Sequence, residues 1–273
     1  KRVFLDEAPL PRVSDLVSHF QTVHFAPQDV ALVLQFSAQR RRLLDIVLSQ
    51  ADAVYLKALQ TYQRLLTQRN HFLRSLGHRG VDPTEREVWD AQLAKPGALL
   101  RHHRLLGLVE IMPDFARQYD VFSTGQETAG LLYADEVIES NPDEIPTRDQ
   151  LEATFRQQLR DGFEKERHAG HTLNGPHRDG FVFTIDGEAA DAFGSQGQQK
   201  SVLLSWKMAE LRLLERRKGQ QPLLLLDDVF SELDPIRSAH LIEMVEDFDQ
   251  VILTAPRQPQ ESLGDRYARI DLE

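Results

Sequence analysis

The run Leu223-Leu224-Leu225-Leu226-Asp227-Asp228 constrains this chain more than any other. Four leucines with no polar residue between them read as a strand buried on both faces, as in an α/β sheet covered by helices. Two carboxylates then stand at its carboxyl end, where open α/β sheets keep their ligand chemistry. The texture recurs nearby. Val251–Thr254 reads as another buried strand, and Tyr267–Leu272 as a last one. Phe181, Phe183 and Ile185 alternate as a strand ahead of a turn at Asp186-Gly187. Gln198–Lys218 and Ile236–Phe248 are helical between them, and Val3–Leu5 and Thr22–Phe25 are short strands flanking a helical Ser14–Phe20.

The middle of the chain has a different period. From Ala38 to Leu76 there is neither proline nor glycine, and Leu44, Val47, Ala51, Tyr55, Leu59, Tyr62, Leu66, Leu73 and Leu76 recur at helical spacing. This is one long helix or two stacked ones with a break near Ser49–Asp52. Gly77–Thr84 reads as a loop, and Glu85–Leu108 as a second helical run interrupted at Lys95-Pro96-Gly97. Residues 110–145 are less regular, and Thr147 caps a third helix that runs to about His168 and is ended by Gly170. The expected fold is α/β: a head whose sheet is covered by helices, with an inserted, mainly helical lobe. The divisions fall at 1–36, 37–169 and 170–273.

Composition removes several classes. No stretch of the 273 residues approaches the roughly 18 apolar residues that span a bilayer, so no membrane partner is expected. Zero cysteines exclude disulfides and thiolate metal sites and fit a reducing, cytoplasmic setting. The ten histidines show no metal-site spacing, and no serine lies in a recognisable order with a histidine and an acid. The net charge of −10 argues against blanket nucleic-acid binding, but the charge is uneven. Between Gln39 and Gly80 eight Lys/Arg face two acids, and between Ala134 and Glu166 ten acids face four bases. Either the basic helix tracks a phosphate backbone through Arg64, Arg69 and Arg74, or the two segments pack together as ion-paired faces of one lobe.

The carboxylates belong to a larger pattern. A strand ending in two acids is the Walker B arrangement, in which the first, Asp227, orients Mg²⁺ and the second, Asp228, polarises the attacking water. Ser231-Glu232-Leu233-Asp234-Pro235 follows at the distance of the acidic D-loop that crosses a dimer interface in ABC-type ATPases. Ser195-Gln196-Gly197-Gln198-Gln199 supplies a signature turn: Gly197 lets the backbone approach a phosphate, the Ser195 hydroxyl can bond it, and the helix beyond aims its positive N-terminus at the same point. The phosphate loop GxxxxGK[ST] that would complete an ATP site is not in the chain.

Together with Gly175-Pro176-His177-Arg178-Asp179, Phe25-Ala26-Pro27-Gln28-Asp29, Arg41-Arg42-Leu43-Leu44-Asp45, Gln68-Arg69-Asn70 and Trp89-Asp90, these motifs resemble the RecF family of SMC/ABC-type ATPases over essentially the whole chain. The resemblance implies a phosphate loop upstream of Lys1, so that this chain alone would not hold ATP. It also implies a recombination mediator that dimerises on ATP, binds double-stranded and gapped DNA, and acts with RecR in the RecO pathway to load RecA. The processes implied are DNA repair, replication restart and the SOS response, in a cytoplasmic, nucleoid-associated setting. The cofactors would be ATP and Mg²⁺, with slow turnover and ATP acting as a switch. Asp227 and Asp228 would serve the nucleotide of their own subunit, while Ser195, Gln196, Gly197, Gln198 and Asp234 would cap the partner's. Gln28 is either a ligand of Mg²⁺ and the attacking water or a surface residue of a Pro-Gln-Asp turn. Thr254 is either the γ-phosphate switch residue or a strand-end threonine. The Gly175–Asp179 turn reads as a junction between insertion and head. The alternative for the chain as a whole is a non-catalytic interaction or DNA-binding module. A transporter subunit is disfavoured by the large helical insertion, and a chromosome-organising head by an insertion too short for a long coiled coil.

Overall fold

The computed structural model describes residues 3–76, 81–134, 136–137, 145–233, 235–255 and 268. The expected final strand Tyr267–Leu272, Asp234 and Arg79 lie outside them. The chain opens with the short antiparallel pair β1 (Phe4–Leu5) and β2 (Ala8–Pro9), a 3-10 turn over Val13–Ser18 and strand β3 (Thr22–Phe25). Helices α1 (Pro27–Gln35), α2 (Ser37–Ala51), α3 (Ala53–Leu76) and α4 (Pro83–Ser123) follow. Next come β4 (Ala129–Tyr133), β5 (Glu136–Val137), α5 (Arg148–Ala169), β6 (Phe181–Ile185), β7 (Glu188–Ala189) and the single turn α6 (Ala190–Phe193). The chain then runs through α7 (Gln196–Lys218), β8 (Leu223–Asp227), α8 (Pro235–Val245) and β9 (Val251–Thr254).

Two local signals act as expected. The helical run after Ala38 breaks at Asp52, whose backbone is extended (φ −144°, ψ 114°) between α2 and α3. Thr147 and Gln150 form a reciprocal capping box that opens α5, and Gly170 closes the helix in the left-handed region at φ 68°.

The region after Pro83 departs from expectation. Residues 83–123 form one helix of 41 residues that passes through Pro96 and Pro113, where an interruption and then irregular chain were expected. An interior proline costs about 3 kcal/mol against alanine, so tertiary packing must keep this helix continuous. It does so at Gly97: a Cβ there would stand 2.5 Å from Cε1 of Phe155 and 3.2 Å from the Tyr62 ring, so the glycine seats α4 against α5 and α3. Beyond Pro96 the helix buries Leu100, Leu108, Ile111, Phe115 and Tyr119 completely. Helix α4 is thereby the spine of the molecule, lying along α3, α5 and α7.

Two sheets are built on this spine. The parallel sheet has the order β3-β8-β9, with Phe25 opposite Leu226 and Asp227 opposite Thr254. One face of β8 is buried through Leu224 and Leu226, while Leu223 and Leu225 on the other face are half-buried. Strand β9 alternates half-buried and exposed, with Ile252 49% exposed. Burial on both faces, expected of both strands, therefore does not extend to β9 among the described residues. The antiparallel sheet has the order β5-β4-β6-β7, joining β4 from the segment 37–169 to strands after 170. Its inner face carries Phe181 and Phe183, which with Phe115 and Trp206 form an aromatic cluster with centroids 5.0–6.1 Å apart.

Candidate functional site

The register of the parallel sheet brings four expected residues to one edge. Asp227 ends β8 directly opposite Thr254, whose hydroxyl donates to Asp227 Oδ1. The Asp228 N–H donates to the Thr254 carbonyl at 3.0 Å and lies 3.2 Å from Oγ1. Asp228 itself is in the left-handed region (φ 49°, ψ 30°). A non-glycine residue there costs on the order of 1 kcal/mol, and its effect is to turn the chain out of the strand immediately after Asp227. On the neighbouring strand Phe25 pairs with Leu226, so Ala26 and the first turn of α1 stand beside Asp227. Gln28 is exposed on that turn, and Asp29 anchors it by accepting the Ala26 N–H at 3.0 Å. A carboxylate and a hydroxyl meet here, with the exposed Gln28 amide at the same end of the sheet, and such oxygens are the donors that hard divalent cations prefer.

The signature residues lie elsewhere. Ser195 caps α7 through a reciprocal box: its Oγ accepts the Gln198 N–H at 3.3 Å, and Gln198 Oε1 accepts the Ser195 N–H at 2.7 Å. Ser195 and Gln196 are exposed, and Gly197 is half-buried. Farther along α7, Glu210 is buried; burial raises its pKa above the ordinary carboxylate value, and repulsion from Asp29 adds to the shift. Four residues before Ser195, Asp191 is tied through Arg40 Nη1 to the Val33 carbonyl near the carboxyl end of α1, whereas Gln28 lies in the first turn of that helix. Within one molecule the fold places Ser195–Gln198 apart from Gln28, Asp227, Asp228 and Thr254. Asp234 falls outside the described residues.

Two further residues contact the signature turn. Arg237 on α8 donates from Nε to Ser201 Oγ at 2.8 Å, and its guanidinium lies 3.4 Å from where a Cβ on Gly197 would stand. Glu127, between α4 and β4, accepts from Gln198 Nε2 at 2.7 Å. The sequence carries a signal for Arg237, which follows Leu233-Asp234-Pro235 by two positions. It carries none for Glu127, which meets Gln198 only through tertiary structure.

The basic helix divides. Arg64 and Arg74 are exposed on α3, and Lys57 is in phase with Arg64. Arg69 corrects the expectation of three DNA-facing arginines: it is 1% exposed. Its Nε and Nη2 donate to Asp90 Oδ1 at 3.1 and 2.8 Å, and its Nη1 reaches Thr172 Oγ1 and Glu166 Oε2, each at 2.8 Å. A guanidinium committed to two buried carboxylates has no face to offer a phosphate. The pair with Glu166 is the packed, ion-paired alternative realised between α3 and α5.

The Gly175–Asp179 turn, expected as a junction, packs against α3 and α4 with Arg178 exposed. Gly175 takes φ +131°. His177 Nδ1 bonds the Tyr62 hydroxyl at 2.7 Å, and burial depresses the imidazole to a pKa of about 4. Asp179 is doubly bonded by Arg101 at 2.8 and 2.6 Å and by the Tyr133 hydroxyl at 2.7 Å. Burial alone would raise this carboxyl, but the Arg101 pairing leaves it below its ordinary value. A cavity of about 820 Å³ opens beside this turn, against α2 and α3, and holds none of the expected nucleotide-site residues. Among the described residues no cluster of three metal-ligating His, Cys, Asp or Glu occurs, and no helix is long and apolar enough to cross a membrane.

No protein-family model matches the chain. The DNA replication and repair protein RecF of Chloroflexus aurantiacus is 39% identical over 262 residues, covering 93% of this chain and 65% of that protein. RecF of Cyanothece sp. is 37% identical (93% and 67%), and RecF of Frankia alni is 37% identical (97% and 72%). Among solved structures, the recombination mediator protein RecF-ATPrS in the RecFOR pathway superposes with a TM-score of 0.84 at 27% identity, covering 95% of this chain and 69% of that one. Its RecF-ATP counterpart gives 0.83 at the same identity. The chain spans about two thirds of the length of the curated relatives it matches. It belongs to the RecF family.

Proposed function

We propose that this RecF-family chain forms the signature and Walker B part of an ATP-gated DNA clamp. The observation that supports the reading is the split geometry: Asp227, Asp228 and Thr254 with Gln28 at the carboxyl end of the parallel sheet, and the Ser195 turn beyond the opposite end of α1. Given a phosphate loop in each subunit, two molecules arranged reciprocally would each cap the other's site. ATP bound between them would then hold a dimer together only while intact.

Asp227 and Gln28 would hold Mg²⁺; the Thr254 hydroxyl engages one carboxylate oxygen of Asp227, so acceptor capacity remains. When bound, the ion would neutralise charge on the β- and γ-phosphates. Asp228, turned away from the strand by its left-handed backbone, would orient the attacking water and take its proton. Ser195 Oγ and the first N–H groups of α7 would receive the γ-phosphate of the partner's nucleotide. On the DNA side, exposed Arg64 and Arg74 would contact the phosphate backbone. In keeping with its relatives, the work would be DNA replication and repair in the RecFOR pathway, with RecR as a partner, in a cytoplasmic, nucleoid-associated setting.

The test is Asp228→Asn in the complete protein. Loss of a general base lowers turnover by about 10²–10⁴-fold, and ATP affinity is expected to stay close to that of the unaltered protein. Unaltered turnover would falsify the assignment.

A further inference from the structure

The signature turn is held from outside its own helix. Gln198 uses both ends of its amide: Oε1 accepts the Ser195 N–H at 2.7 Å, and Nε2 donates to Glu127 Oε1 at 2.7 Å. The other oxygen of Glu127 accepts the Tyr119 hydroxyl at 2.6 Å. Tyr119 belongs to the last turns of α4 and is 1% exposed, so the carboxylate is fixed to the end of the spine helix. From α8, Arg237 donates to Ser201 Oγ at 2.8 Å, and Ser201 Oγ donates in turn to the Gly197 carbonyl at 3.1 Å. The first turn of α7 is thus clamped by the end of α4 and by helix α8.

The two sides of the clamp differ in what they touch. Arg237 acts on the backbone of Gly197 through Ser201. Glu127 acts on Gln198, whose oxygen is half of the box that fixes the Ser195 backbone. Without Glu127 the amide of Gln198 is free to rotate, and the box loses the partner that fixes its orientation. We propose that Glu127 is the positioning residue that presents Ser195–Gly197 to a phosphate, an inference that rests on the nucleotide half-site reading of that turn.

Glu127→Ala in the complete protein tests it, with ATP-driven dimerisation measured by light scattering and turnover measured alongside. A charge-assisted hydrogen bond carries enough energy for its loss to weaken dimerisation about tenfold. The expected kinetic result is a lower kcat with unchanged KM, because Ser195–Gln198 face the partner's nucleotide and not the one bound by the same subunit. Exchanging the pair, Glu127→Gln with Gln198→Glu, restores a carboxylate–amide contact with the roles reversed and leaves a glutamate in the favoured capping-box position. The exchanged protein is expected to recover dimerisation to within about threefold. Should Glu127→Ala fail to fold by circular dichroism, Glu127→Gln alone is read in its place against the exchange.

Dimerisation and kcat unchanged in the single variant overturn the proposal, and so does an exchange variant no better than the single one. Ser195→Ala separates the two levels. If it also leaves dimerisation unchanged, the half-site reading itself fails. If Ser195→Ala weakens dimerisation and Glu127→Ala does not, only the positioning role fails.

Discussion

Arg69→Met isolates the electrostatics of the arm, because methionine fills much of the arginine's space and removes only its charge and donors. The guanidinium is 1% exposed and lies between Asp90 and Glu166, whose side chains are 1% and 0% exposed. Removing one partner from a buried ion pair costs about 3–5 kcal/mol, because the remaining charge keeps its desolvation penalty. Here two carboxylates remain, and one must take up a proton or find water. Burial already raises the Asp90 pKa above its ordinary value, with the Arg69 charge and hydrogen bonds opposing that rise. Without Arg69 it climbs further. An acid whose folded value is raised contributes stability that is complete below its unfolded value and is lost as pH rises through the folded one. The defect should therefore be about 3–5 kcal/mol at neutral pH and shrink on acidification. Urea unfolding followed by far-UV circular dichroism, at about pH 7.5 and about pH 5, measures both. A loss below about 1 kcal/mol, or one that does not change with pH, would refute the reasoning. Arg64→Ala and Arg74→Ala, at exposed positions on the same helix, should change stability by no more than about 0.5 kcal/mol.

The junction turn yields two more expectations. His177, depressed to about 4, stays neutral in the folded protein while its unfolded counterpart protonates near 6.5. Its contribution is present above pH 6.5 and lost as pH falls towards 4, amounting to about 2 kcal/mol by pH 5. His177→Gln should flatten the pH dependence of unfolding over that window, and an unchanged slope would count against it. Gly175→Ala would set a Cβ 2.5 Å from the Tyr62 hydroxyl and 2.6 Å from Cζ of Phe155, at a backbone φ of +131° that alanine avoids. Overpacking and backbone strain together should cost about 3 kcal/mol, read as a lowered melting temperature; a loss under about 1 kcal/mol would mean that the turn yields easily.

What the sequence revealed and what it hid follow from the range of the interactions involved. The break at Asp52 and the boxes at Thr147 and Ser195 depend on residues within four positions of each other, so their patterns are local and visible. The unbroken course of α4 depends on Phe155 and Tyr62 meeting Gly97 across the lobe, which no window around Pro96 contains. Arg69 is the instructive intermediate case. Counted as one charge among eight it looks like a surface cation, yet it stands seven residues after Tyr62 and seven before Leu76, in phase with Tyr55. All four are buried. A cation on the apolar stripe of a helix needs a buried counter-charge, and that requirement, applied to phase instead of composition, marks Arg69 as an interior ion-pair residue. The same requirement clears Arg64, which lies off the stripe. Phase along α3 therefore separates the arginine that holds the arm together from those free to meet a phosphate, and it does so before any partner is known.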